Sequence, residues 1–175
     1  MSYYRTRTYL AGDWDTDYVV IDKLRKWNKS NHWNLSFSDA HDLMQSRDTS
    51  LCCSIKKSLR DRLNASKRFV LVVGENTDKI TSGGCQRCGN YLSAIKECLR
   101  GYSVDYRSYV HYECEYAYNH DLDVVVIYND FVVDKTLCPS VLRDIGLHLP
   151  FCTYNSAGIY AYNYMGIQAA FNTEM

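Results

Sequence analysis

Two unbroken apolar runs dominate the chain: Phe69 to Val73, closed by Gly74, and Val124 to Tyr128. Such runs, with no polar alternation, belong to strands covered on both faces, as in a parallel sheet. Elsewhere the period is helical. Val20, Leu24 and Trp27 recur at spacings of four and three, which predicts a helix capped by Thr16 or Asp17 and running to about Lys29. Leu51, Ile55, Leu59 and Leu63 repeat every four residues and predict a second helix, capped by Thr49 or Ser50 and ending near Asn64. Arg7 to Gly12 reads as a first strand ending in glycine. Trp33, Leu35 and Phe37 alternate within a short strand over 33–38. A short helix is predicted over Tyr91–Arg100, a longer one over Ser108–Tyr118, which lacks Gly and Pro, and a last one over Ala157–Phe171. Residues 129–156 carry no clear period.

Strands and helices alternate, so the expected fold is α/β: a flavodoxin-like three-layer arrangement with a mostly parallel central sheet and right-handed crossovers. Ligands of such sheets bind beyond the carboxyl ends of the strands. The loops there are 13–17, 39–48 and the segment after Gly74. With 175 residues the chain fits one domain over 1–175, long enough to bury about two thirds of its unfolded surface.

Charge narrows the partners. Twenty basic and twenty acidic residues cancel, whereas a nucleic-acid binder usually needs a basic excess to neutralise phosphates. Lys56, Lys57, Arg60 and Arg62 form a local basic run that reads first as a solvated helix face. No segment approaches the roughly 20 apolar residues of a membrane span, and the first residues hold no apolar signal core. The expectation is a cytoplasmic protein with no nucleic-acid or membrane partner. Its eight cysteines then read as reduced thiols inside apolar or helical segments.

Several motifs are absent: the phosphate loop, G-x-G-x-x-G after a strand, H-E-x-x-H, and a nucleophile elbow around a serine. Cys85-Gln86-Arg87-Cys88 has the spacing of half a zinc knuckle, but no second C-x-x-C completes it, so no metal is expected. Asp13, Asp15 and Asp17 follow the first strand; one could hold a ribose or a cation, and Asp17 reads first as a helix cap. Trp14 is placed either to stack on a base or to plug the core. Glu113 and Glu115 lie among tyrosines. Helix geometry separates them by about 200°, so they do not share a face, and on spacing alone each reads as a solvated charge.

Tyr109-Val110-His111-Tyr112-Glu113, followed by a turn and the run Val124 to Tyr128, resembles the W-V-x-x-E segment of TIR domains. The start RTYLAGDWDTD resembles their first strand and loop. The run from Arg47 to Thr77 is similar to the TIR-like proteins of bacterial Thoeris anti-phage defence systems, the ThsB type. The resemblance covers about residues 7–129 and leaves 130–175 as a C-terminal elaboration. It departs from the family at Tyr109, which stands for a tryptophan, and in a long segment between Gly74 and Ser108. It implies a TIR-like fold and cleavage of NAD, as substrate rather than cofactor, at the nicotinamide–ribose bond. It also implies Glu113 as the catalytic residue, with Gly12, Asp13, Trp14, Asp39, His41 and Tyr109 at the substrate. The product is then ADP-ribose or a cyclic ADP-ribose-type signal read by a separate effector protein, and self-association is part of the same expectation. One carboxylate suffices chemically. Nicotinamide carries positive charge in NAD and leaves neutral, so no proton donor is needed, and a fixed carboxylate stabilises the ribosyl cation as it develops.

A non-catalytic TIR-like interaction module is the alternative, because one fold serves both roles. A flavodoxin-like phosphorylation pocket is a weaker third reading. It would need an aspartate at the end of a central strand, where only Asp130 is a candidate.

Overall fold

The two apolar runs lie side by side. In a computed structural model, which describes residues 7–32, 35, 37–38 and 51–173, β2 (Ser66–Val73) pairs in parallel with β5 (Asp123–Tyr128), Phe69 facing Val124 and Val73 facing Tyr128. On the other side of β2 lies β1 (Arg7–Ala11), with Tyr9 facing Phe69. Beyond β5 lies β6 (Leu147–Pro150), with Val125 facing Leu147. The sheet order is therefore β1-β2-β5-β6, every neighbouring pair parallel.

Alternation along the strands builds two separate cores. Tyr9, Phe69, Leu71, Val124 and Val126 face α2 (Cys52–Asn64) and α3 (Tyr109–Asn119), where they meet Leu59, Leu63, Val110 and Cys114. Leu10, Val70, Val72, Val125 and Ile127 face α1 (Tyr18–Lys29) and α4 (Tyr164–Asn172), where they meet Ile21, Leu24, Trp27 and Ile167. Both faces are covered, which is why β2 and β5 carry no polar alternation. The chain is an α/β protein with a parallel central sheet between helices, the expected class.

Part of the predicted strand at 33–38 lies outside the described residues. Leu35, Phe37 and Ser38 carry no ladder, but the Ser38 carbonyl accepts from the Thr8 N–H at 2.8 Å. Ser38 thus lies at the edge of β1 away from β2.

Two helix expectations are corrected. Residues 91–100 form a small antiparallel hairpin, β3 (Tyr91–Leu92) with β4 (Glu97–Cys98), turned by Lys96 at φ 56°. Leu92, Ile95 and Leu99 are exposed there, so no packed apolar face supports a helix, and short unpacked helices are marginal in water. The last helix begins at Tyr164, not Ala157; before it β7 (Cys152–Tyr154) and β8 (Tyr160–Tyr162) pair as a hairpin. The Asn163 side chain accepts from the Gly166 N–H and fixes that start. No helix of the described residues is long and apolar enough to cross a membrane.

Candidate active site at the strand ends

Ser108 starts α3. Its Oγ accepts from the His111 N–H at 3.1 Å and lies 2.7 Å from His111 Nδ1, while His111 Nε2 is 3.2 Å from Asp78 Oδ1. Serine, histidine and aspartate thus stand in line. Ser108 is buried and its hydroxyl caps the helix, so the line fixes the first turn of α3 rather than presenting a nucleophile. Asp78 also accepts from Arg143 at 3.2 Å, which ties the segment after β2 to the one before β6.

From that fixed start, α3 turns Glu113 inward and Glu115 outward. Glu113 keeps 7% of its surface. The hydroxyl of Tyr9, in the middle of β1, donates to Glu113 Oε1 at 2.5 Å. Arg62, also buried, stands beside the same hydroxyl, and its charge favours the ionised forms of both Tyr9 and Glu113. Three polar groups thus form a line under the sheet, cation to phenol to carboxyl. Burial dominates over the Tyr9 bond and the Arg62 charge and pushes the Glu113 carboxyl from 4.5 up to about 7. Burial, with the carboxylate beside it, also raises the Tyr9 phenol well above its usual value. Glu115 instead accepts from Arg107 at 2.7 Å on the half-exposed side. The separation expected from helix geometry holds.

Tyr109 sits one turn before Glu113 on the same face of α3. Its N–H donates to the Ser82 carbonyl at 2.9 Å, and its ring fills the space beside Gly83, where a Cβ would come within 2.5 Å of it. At φ +96°, Gly83 holds a conformation that disfavours side chains as well. The loop before α3 is thereby fastened to Tyr109.

At the end of β1, Gly12 packs 3.2 Å from Val72, measured from an ideal Cβ. Asp13 closes its own turn, accepting from the Asp15 N–H at 3.0 Å and the Thr16 hydroxyl at 2.8 Å. Trp14 does not plug the core: it is 38% exposed, with the Arg25 guanidinium 4.8 Å from its ring centre. Asp39 and His41 lie outside the described residues.

Asp17 departs most from its expected role. It precedes α1 but its side chain caps nothing. The carboxylate turns inward, where Oδ1 accepts from Asn129 Nδ2 at 3.2 Å. Oδ2 is buried and has no hydrogen-bond partner among the described residues. Burial raises this carboxyl above its usual value. Gly74 makes room for it, because a Cβ there would lie 2.3 Å from Oδ1. The Thr77 hydroxyl, in turn, accepts from the Gly74 N–H at 2.8 Å. Asp17, Gly74, Thr77 and Asn129 thus join the loops after β1, β2 and β5 at the carboxyl end of the sheet. Asp130, the candidate of the phosphorylation reading, is exposed and accepts from its neighbour's N–H at 2.5 Å.

Sequence reasoning missed Tyr9, Arg62 and the inward turn of Asp17. Tyr9 had a signal, since it alternates with Leu10 on the strand. Arg62 also had one: it falls three residues after Leu59, on the edge of the apolar stripe of α2.

Residues 1–81 match the family model described as the TIR-like domain of the Thoeris protein ThsB. That stretch holds β1, α1, α2 and β2, with Tyr9 and Arg62; Glu113 lies beyond it. No curated protein matches the chain.

Proposed function

We propose that this TIR-like chain is an NAD-cleaving enzyme of anti-phage defence, with Glu113 as its catalytic carboxylate. The observation that carries the reading is a single acid, buried and held by Tyr9 in the layer beneath β1, with a carboxyl poised at about 7. Perturbed titrating groups of this kind cluster at functional sites.

In the proposed reaction the bond between nicotinamide and the ribose C1′ breaks. The electron pair leaves with nicotinamide, which departs neutral, and the ribosyl group becomes cationic. Ionised Glu113 stabilises that cation where it develops, in surroundings that hold little water. The Tyr9 hydroxyl holds Oε1, and the Arg62 charge favours the ionised carboxyl. Gly12, Asp13 and Trp14 line the loop after β1, where the ribose and base approach. Attack by water then gives ADP-ribose; attack by the substrate's own adenine gives a cyclic signal for a separate effector. Asp39, His41 and Tyr109 complete the proposed substrate contacts.

The non-catalytic module is favoured by one observation, the 7% exposure of Glu113, which suits a structural carboxyl. Incubating NAD with the triggered protein and separating products by mass distinguishes the two. Release of nicotinamide with ADP-ribose or its cyclised form supports the enzyme. Unchanged NAD with every trigger that engages the protein overturns it.

A further inference from the structure

The segment between Gly74 and Ser108 is one of the places where the sequence departs from the family pattern, and the proposed reaction uses none of its side chains. It carries Cys85 and Cys88 on a short 3-10 turn, followed by the β3–β4 hairpin that ends in Cys98. The Cys88 N–H donates to the Cys85 carbonyl at 2.9 Å, and the Tyr91 N–H to the Cys88 carbonyl at 3.0 Å, so the knuckle leads directly into the hairpin. The start of α2 brings Cys52 and Cys53 against it. Cys52, Cys53, Cys85, Cys88 and Cys98 all line one cavity of about 20 Å³, a volume that suits one water-sized occupant. Cys52 lies within hydrogen-bond reach of Cys88. The Asp105 N–H donates to Cys85 Sγ at 3.2 Å, the kind of contact that supports a metal-bound thiolate from its outer side. All five thiols are free.

We propose that Cys52, Cys85, Cys88 and Cys98 bind one structural zinc ion that fastens this insertion to the start of α2. The spacing of Cys85 and Cys88 lacks a second pair in sequence, and the fold supplies it from two other places, α2 and the hairpin. Four thiolates in a closed site select zinc by softness and tetrahedral geometry. Among the described residues no three such side chains yet surround a common point as ligands do. Binding therefore draws the sulfurs inward by rotation of the cysteine side chains, with the loss of their protons. Cys53 faces the same cavity but, like Cys85, also borders the open cleft beside Lys56 and Tyr102; Cys52 lines the cavity and not the cleft, and stands beside Cys88, so it is the α2 ligand of the proposal. Cys52 also stands close to Tyr109. The ion would thus hold the first turn of α3 in place, one turn before Glu113. It acts on structure and takes no part in the chemistry, so its test does not depend on NAD cleavage.

The test is metal analysis of the full chain purified under reducing conditions without chelator. The expected result is one zinc per chain, and, after exchange, a thiolate-to-cobalt charge-transfer band with cobalt(II). Cys52→Ser, Cys88→Ser and Cys98→Ser each lose the ion, while Cys53→Ser keeps it. Because such variants can fail to fold, the cobalt spectrum of the unmodified protein stands as an independent reading. Reduced wild-type protein that takes up neither zinc nor cobalt overturns the proposal. So does iron with labile sulfide in place of zinc, or zinc that survives Cys98→Ser.

Discussion

The hydroxyl of Tyr9 and the carboxyl of Glu113 meet at 2.5 Å although 104 positions separate them in the chain. The bond spans two layers, from the middle of β1 to the second turn of α3, and both partners are buried. Removing the donor leaves Oε1 without its partner, at a cost of about 1–3 kcal/mol. Tyr9→Phe should therefore lower the stability read by denaturant unfolding. It also removes a contact that favours the ionised carboxyl, so Glu113 should titrate above about 7, and any activity that needs the carboxylate should shift to higher pH. A pH profile unchanged by Tyr9→Phe would disconnect the phenol from the acid.

Glu113 also sets a pH dependence of stability. Its folded value, about 7, lies above the ordinary 4.5. The folded chain therefore holds the proton more tightly than the unfolded one. The stabilisation is fully present below about 4.5 and is lost as pH rises through about 7. A difference of roughly 2.5 units corresponds to at most about 3 kcal/mol. Glu113→Gln should thus gain on wild type by up to that amount between about pH 4 and pH 9, measured by parallel melts. Parallel curves for the two proteins across that range would contradict the burial of a titrating carboxyl.

Lys56 is a structural cation whose place in the sequence suggested a solvated face. It is 5% exposed, donates to the Arg107 carbonyl at 2.7 Å and lies 3.2 Å from Asp105 Oδ2. Lys56→Met should cost about 1–3 kcal/mol by releasing two groups of the loop that leads into α3. Lys57→Met, on the exposed side of the same helix, should change stability by less than about 0.5 kcal/mol. Denaturant unfolding of the pair checks the contrast.

Gly146 turns the chain into β6 at φ +78°, and a Cβ there would lie 2.2 Å from the Val124 carbonyl oxygen. Both the conformation and the backbone contact exclude a side chain. Gly146→Ala should cost more than about 2 kcal/mol. Gly158→Ala, also at positive φ but with open space around it, should cost about 1 kcal/mol. Equal melting losses for the two would remove the steric part of the argument.

The central strands were legible because Phe69 to Val73 and Val124 to Tyr128 are apolar throughout, and only a doubly covered strand needs that. The opposite fates of Glu113 and Glu115 were legible from helical periodicity. Lys56 was not, and for Arg62 only the position was, because a helix wheel records where a side chain starts and not what its tip reaches. Asp17 was read as a cap, since caps are local, whereas its true partner, Asn129, is 112 positions away. The hairpin at 91–98 was missed because helix propensity carries no information about packing, and Leu92 and Ile95 are left exposed there.

The central claim is that Glu113, and not its neighbour on the outer side of α3, supplies the carboxylate for NAD cleavage. The direct measurement is the initial rate of nicotinamide release from NAD by triggered wild-type, Glu113→Gln and Glu115→Gln proteins, each shown by melting to be folded. Loss of a carboxylate that stabilises a developing cation should cost at least about 3 kcal/mol of activation energy, or roughly a hundredfold in rate. Glu113→Gln should fall by that factor or more, while Glu115→Gln, which loses only its half-exposed pair with Arg107, should stay within about twofold of wild type. Equal rates for Glu113→Gln and wild type would contradict the account.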